Sequence, residues 1–466
     1  MRVVVAAACA GVLAASGCGT GRTSGLRLSS CTIGAPAKPV AAQCGDLAVP
    51  ENPFDTGGKQ IPIHFAVLRA TGTNPKPDPI FDFAGWGSAG VEDDSYLASA
   101  LSTANVDHDL VLVDRRGTGR SNELTCTEPS DPTDTAAVSV AARRCASRIG
   151  PNLRYYTTTV AVDDFDRVRA ALGYEKIDVY GESYGVTLGL VYLERHGSHV
   201  RSIALDSGSL LDVHIFERVA PNAQHALDLL FARCERDAAC HDAFPHLRSE
   251  WSSLRAHVGR SPISIPDSTA KIDEPGLASA VEELLAFDKW EIPRVIHLVA
   301  TGHVAQAAAL AGPNLETGGW TRLAYMHVVE CTEPWASRRP TEMTRLAAGT
   351  FMASSQRLSA EEQTATCKGI PRGYAPPGIG ERFHSSVPVL FLQGSEDPAD
   401  PPANVAGAHH DFPNSRVVVV RNSGHGQISW PCGGFVISTF FEKGSAAGLD
   451  TTCAASAAIV PFDTRR

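Results

Sequence analysis

Basic runs are missing from this chain of 466 residues. Acidic side chains outnumber basic ones, 51 to 41, for a net charge of −10. No lysine- or arginine-rich stretch offers the positive stripe that a nucleic-acid backbone requires, so nucleic acid is excluded as a partner class. Long apolar runs are missing as well. Beyond the first few residues, no window approaches the roughly 20 apolar residues that cross a bilayer as a helix. Metal-ligand spacings are also lacking. His196 and His199, His409-His410 and Cys240-His241 are close in sequence, but no H-E-x-x-H or matching carboxylate accompanies them. None of the neighbouring cysteine couples has the C-x-x-C spacing of a zinc ribbon or redox dithiol. No metal and no cofactor is therefore expected, and no repeat of fixed period or low-complexity tract stands out.

With 43% hydrophobic and 20% charged residues, the composition is that of a globular protein long enough for two or three folding units. Met1-Arg2 followed by the apolar run Val3–Ala15 reads as an export leader over residues 1–18. Ala15-Ser16-Gly17-Cys18 resembles a bacterial lipobox, which would make Cys18 the lipidated N-terminus and the sole membrane contact. Ordinary secretion is the alternative. Residues 19–40 follow as a tether. Of twelve cysteines, Cys9 and Cys18 fall in the leader and ten remain, an even number that suits disulfides in an exported chain. They form neighbouring couples, which predict five local bridges: Cys31/Cys44, Cys126/Cys145, Cys234/Cys240, Cys331/Cys367 and Cys432/Cys453.

From 41 to 207 strand and helix patterns alternate. Ile61–Arg69, Pro79–Phe83, Leu110–Val113, Ile177–Tyr180 and Ser202–Leu205 read as strands, and Val160–Leu172 reads as a helix capped by Gly173. Residues 208–385 are helical in pattern, through His225–Arg233, Ala243–His257, Ala278–Phe287, Trp290–Thr301 and Met343–Met352. Alternation resumes over 386–466, with strands Val387–Leu392 and Val417–Val420 and helices Ala403–Asp411 and Phe435–Phe441. The expectation is an α/β fold, a mostly parallel sheet with helices on both faces, interrupted by an inserted helical cap.

Strand Ile177–Tyr180 runs directly into Gly181-Glu182-Ser183-Tyr184-Gly185, with a helical run Val186–Arg195 behind it. A G-x-S-x-G pentapeptide between strand and helix lifts its serine hydroxyl out of the sheet edge, where a base can reach it. Such a hydroxyl becomes nucleophilic only when an imidazole takes its proton, and the imidazole needs a carboxylate to orient it. Downstream, one strand ends in Gln393-Gly394-Ser395-Glu396-Asp397-Pro398 and another in Ser423-Gly424-His425-Gly426. Both loops fall on the carboxyl edge of a parallel sheet, where sites form. His425 is the expected base. Glu396, Asp397 and Asp400 compete for the acid with Asp397 preferred, and Asp206 is a further candidate read as structural. The oxyanion donors are expected at the N–H of Tyr184 and at Gly85 or Trp86, in the glycine-rich turn Phe83–Gly90. Asp114-Arg115-Arg116-Gly117-Thr118-Gly119-Arg120-Ser121 lacks a Walker lysine and reads as a loop bordering that turn.

These motifs, in this order and together with the segment Tyr156–Gly173, resemble the exported tripeptidyl aminopeptidases and proline-iminopeptidase-like hydrolases of actinobacteria. The likeness covers nearly all of the chain after about residue 40. It implies an α/β-hydrolase fold with a helical lid, cleavage of peptides near a free N-terminus through an acyl-enzyme, and a triad of Ser183, Asp397 and His425. Where the family's turn carries Gly-Gly-Pro-Gly, this chain has Ala84-Gly85-Trp86-Gly87, and an indole there would narrow or reshape the acyl pocket. An aminopeptidase must hold a protonated amine, for which Glu330 and Glu333, flanking Cys331, are the candidates. The rival readings are a carboxylesterase or lipase-like enzyme acting on small esters with the same triad, and a catalytically silent binding lipoprotein. An epoxide hydrolase is disfavoured, because that chemistry requires an aspartate in place of Ser183.

Overall fold

Nine strands form one sheet: β1 (Ser29–Ile33), β2 (Val40–Pro50), β3 (Gln60–Leu68), β4 (Ile80–Phe83), β5 (Leu110–Val113), β6 (Ile177–Glu182), β7 (Val200–Asp206), β8 (Val389–Gly394) and β9 (Ser415–Val420). This computed structural model describes residues 26–266, 268, 271–311, 321–455 and 460–465. The leader, Cys18 and residues 19–25 lie outside the described residues, and the rest of the stretch expected as a tether instead carries β1, paired to β2 and bridged by Cys31–Cys44. The strand order is β1-β2-β3-β5-β4-β6-β7-β8-β9. Pairing is antiparallel from β1 to β5 and parallel from there to β9. The central strands β4, β5 and β8 are buried at every residue, as continuous apolar runs covered on both faces must be.

The helices that position the site are α1 (Thr158–Leu172), α2 (Tyr184–His196), α3 (Ile215–Arg236), α4 (Glu274–Phe287), α5 (Ala324–Glu330) and α6 (Gly433–Lys443). Alternate sheet residues feed two cores. Phe65, Phe83, Val179 and Phe391 pack with α1 and α2 on one face. Leu112, Tyr180, Leu392 and Val420 pack with Val436, Ile437 and Phe440 of α6 on the other. Gly173 closes α1 in the left-handed region at φ 85°, as the sequence signal requires.

Between β7 and β8 the chain is mostly helical and builds a third core, from Leu227 and Phe231 of α3, Val281 and Leu285 of α4, and Trp251, Ile296 and Phe351. One piece of this stretch behaves differently. Tyr325, Val328 and Val329 of α5, with Trp335, belong to the first sheet-face core. The short strand Thr321–Leu323 before α5 pairs with Thr125–Thr127, so this piece is stitched to the sheet side. The end of the chain returns to the helical stretch, where Phe462 sits in the third core and Asp463 meets Arg294 at 2.8 Å.

All five cysteine couples are bridged as the sequence predicts. Three helix readings change, among them Met343–Met352, of which the helix Pro340–Ala347 keeps only the first half. Ala403–Asp411 is split by Gly407 at φ 78° into a turn and the short helix Ala408–Asp411. Ala243–His257 begins at Leu247, because Pro245 interrupts it. Helix Ala353–Thr366 escaped notice because its sequence has no apolar stripe at helical spacing. Among the described residues, no helix is long and apolar enough to cross a membrane.

Candidate active site

Ser183 stands between β6 and α2 with φ 58° and ψ −119°, a conformation that a non-glycine residue adopts only under constraint. Two backbone bonds hold it: its N–H donates to Asp206 O at 2.9 Å, and its carbonyl accepts from Val186 N at 2.9 Å. The flanking glycines are required by space. A Cβ at Gly185 would lie 1.9 Å from Phe83 O, and one at Gly181 would lie 2.3 Å from Gly185 O. Ser183 is thereby pressed against the glycine-rich turn, where a Cβ on Gly85 would meet the Ser183 Cβ at 3.9 Å. The N–H of Tyr184, first residue of α2, is free of intrahelical partners.

His425 Nδ1 and Asp397 Oδ2 are 2.8 Å apart. The other oxygen of Asp397 accepts from the N–H groups of Ala399 and Asp400, each at 2.9 Å. This arrangement orients the ring and leaves Nε2 as its second nitrogen. Burial opposes a charge on His425, but Asp397, then Asp400 and Glu182, raise its pKa above the ordinary value. Burial likewise opposes ionisation of Asp397, yet His425 and the two N–H donors hold its pKa low. The competing acids face elsewhere. Glu396 meets Lys289 at 2.8 Å and Arg233 at 3.3 Å, and Asp400 accepts from Ser209.

Asp206 ties the two loops together. Its backbone oxygen holds Ser183, while its carboxylate accepts from Gln427 N at 2.8 Å and Ile428 N at 2.7 Å. The neighbouring Ser207 hydroxyl accepts from Gly426 N at 2.9 Å. The structural reading of Asp206 agrees with these contacts. Glu182 completes this side: its carboxylate accepts from Tyr96 and Tyr180 at 3.1 Å, and a Cβ on Gly426 would lie 2.9 Å from its Oε1. A small cavity of about 60 Å³ lies here, lined by Asp82, Gly85, Asp94, Tyr96 and Glu182 among others. A groove of about 440 Å³, bordered by Phe231, His241 and Arg248, shares no lining residue with the site.

The two amine-binding candidates both have partners within the protein. Glu330 is buried and held by Arg322 at 2.6 Å and Arg338 at 3.0 Å. Burial works against its charge, but these arginines pull its pKa down to about 2. Glu333, 1% exposed, accepts from the N–H and hydroxyl of Thr158 at the start of α1, with its pKa pushed by burial up to about 7. Both carboxylates are consumed inside the protein. Besides Asp397 and Asp400, the acids whose charge interacts with His425 are Glu182 and a pair not singled out from the sequence, Glu282 and Glu283 on α4. Burial raises the pKa of both, Glu283 adds to it at Glu282, and His425 acts in the opposite sense on each. The end of α4 covers the histidine: Phe287 stands 5.9 Å from the His425 ring, and Ala286 O accepts His425 N–H at 2.9 Å. In sequence the Glu-Glu pair is indistinguishable from a solvated helix end.

Trp86 folds back onto an aromatic layer, with ring centroids 4.9 Å from Tyr184, 5.6 Å from Tyr325 and 5.9 Å from Phe216. Among the described residues, no group of three or more His, Cys, Asp or Glu side chains is arranged to hold a metal ion.

Residues 83–258 match the family model described as alpha/beta hydrolase fold, and residues 354–453 match the one described as TAP-like protein. The chain has the α/β-hydrolase fold. The chain resembles the tripeptidyl aminopeptidase of Streptomyces coelicolor, at 26% identity over 89% of this chain and 84% of the relative. The serine protease Hip1 of Mycobacterium tuberculosis is 29% identical over 43% of each chain. A proline iminopeptidase of Neisseria gonorrhoeae is 28% identical over 33% of this hydrolase and 40% of its own length.

Proposed function

We propose that this protein is an exported serine aminopeptidase of the tripeptidyl or proline-iminopeptidase-like kind. The observation that carries the reading is the Asp397–His425 pair, its carboxylate fixed by two backbone N–H groups, with the His425 loop and the Ser183 turn hung on the same Asp206. Ser183 Oγ attacks the scissile carbonyl and its proton passes to His425 Nε2. The oxyanion is received by the N–H of Tyr184 and of Gly85 or Trp86. His425 then protonates the leaving amine, and a water molecule, activated by the same imidazole, releases the acyl peptide and restores Ser183. The acidic surroundings of His425, Glu182 with Glu282 and Glu283, suit a substrate that carries an ammonium group, and residues 208–385 serve as the lid that presents α4 to it. Export is supported by five disulfides, which persist in oxidising compartments. Lipidation at Cys18 would be read from the mass of the mature N-terminal peptide.

The test compares tripeptidyl p-nitroanilides bearing free and acetylated N-termini with short-chain p-nitrophenyl esters. The free peptide is expected to be preferred by at least tenfold over the acetylated one, and Ser183→Ala should abolish both turnover and fluorophosphonate labelling. Hydrolysis of esters alone would replace the aminopeptidase reading by the carboxylesterase one. No turnover and no labelling would leave a silent binding protein.

A further inference from the structure

Arg115 is 2% exposed and poorly satisfied. Its Nη1 donates to Ala84 O at 3.4 Å, while Nε and Nη2 have no hydrogen-bond partner. Its guanidinium instead lies over two rings, 4.0 Å from the centre of Tyr325 and 5.0 Å from that of Tyr184. Its charge is felt by the buried Glu333. Leaving guanidinium donors unpaired in the interior is costly, and stacking on aromatic faces offsets only part of that cost.

The position of this cation is informative. Ala84 O and Gly85 N belong to one peptide group, so the bond from Arg115 falls on the oxygen of the amide whose N–H is an expected oxyanion donor. A hydrogen bond to an amide oxygen polarises the amide and strengthens its N–H as a donor. Two residues on, Gly87 N donates to the Tyr325 hydroxyl at 2.8 Å, and the Tyr325 ring is the one that carries Arg115. Arg115 and Tyr325 thus hold the turn Ala84–Gly87 at both ends from beneath. When Ser183 Oγ bonds to the substrate carbonyl carbon, the π electrons move to the carbonyl oxygen and the serine proton goes to His425. At the Gly85 N–H, the new negative charge then meets an amide whose oxygen is held by a buried cation that is short of partners. Preorganised charge in a water-poor site is the largest lever on such an intermediate.

We propose that Arg115, seated on Tyr325, is a positioning residue for the oxyanion turn: it fixes and polarises the Ala84–Gly85 peptide and supplies positive charge to the tetrahedral intermediate. This rests on the serine-hydrolase reading above, but not on whether peptides or esters are the substrates. Arg115→Met, Arg115→Lys and Tyr325→Phe should be assayed on whichever acyl substrate the wild type turns over. Arg115→Met is expected to lower kcat about 100-fold with KM within threefold, on the scale of losing one oxyanion donor. Arg115→Lys, which restores charge without the fork, should recover about tenfold of that loss, and Tyr325→Phe should lose about tenfold. Inhibition by an alkyl trifluoromethyl ketone, which adds Ser183 to form an ionised hemiketal, should weaken by the same factors as kcat/KM. Binding of the product acid should not change. A folded Arg115→Met variant with kcat within threefold of wild type overturns the proposal, as does a loss confined to KM or a kcat loss without weaker ketone binding. Should the Arg115 variants fail to fold, Tyr325→Phe with unchanged kcat and unchanged ketone inhibition overturns it. Failure of the functional reading looks different: wild type inactive on free peptides, or active after Ser183→Ala.

Discussion

At His425 burial and carboxylates act against each other, and the carboxylates prevail. A general base works in its neutral form, so a raised pKa places the acid limb of kcat/KM above the ordinary histidine value of about 6.5. Activity is expected to climb with pH through the neutral range and level off on the alkaline side. Glu182→Gln removes one of the acids that raises this pKa, so its limb should move to lower pH. A pH–rate profile of both proteins checks the sign, and a limb that moves upward in the variant would contradict it. Asp397→Asn removes the acceptor facing Nδ1 and should lower kcat by about 10⁴-fold, with folding retained by circular dichroism. The Asp397–His425 contact and the constrained turn at Ser183 were legible in the sequence for a local reason: each residue sits in a glycine-bearing loop directly after a strand. Glu282, Glu283 and Arg115 were not. Their surroundings come from chain segments far away, and a carboxylate or guanidinium carries no mark of what will face it. The partners of Glu330 and Glu333 were not legible for the same reason, because Arg322, Arg338 and Thr158 lie elsewhere in the sequence.

Elements were read well where apolar residues repeat at one period. Strand β5 has the bounds expected, and α1 and α2 differ by two residues at most. Ala353–Thr366 has no such repeat, and β1 lies on the sheet's half-exposed edge, so tertiary packing decided both. The loop after β8 shows how elements meet. Glu396, 3% exposed, is clasped by Arg233 of α3 and by Lys289 just beyond α4. Phe462 lies 4.4 Å beneath the Arg233 guanidinium. Removing one partner from a buried ionic group leaves uncompensated charge, a loss on the order of 3 kcal/mol. Glu396→Gln should therefore lower stability by about that amount in urea unfolding and speed proteolysis within α3 or α4. A change below about 0.5 kcal/mol would show the clasp to be solvated.

Over the whole molecule, buried acids set how stability depends on pH. Burial pushes Asp178, Asp206 and Glu333 up to about 7, and Asp94 likewise. In the unfolded chain these groups ionise near pH 4. Between those values the folded state holds protons that the unfolded state has lost, so stability falls as pH rises from about 5 through 7. Glu330, at about 2, acts oppositely: its contribution is present above about pH 4.5 and fades on acidification. The melting temperature should therefore peak near pH 5 and decline towards pH 8, and a steady rise over that interval would refute the assignment. The bond from His425 N–H to Ala286 O has a consequence at this scale as well. Any swing that lifts the end of α4 tugs on the backbone of the base itself. Separating α4 from the His425 loop therefore costs that backbone hydrogen bond.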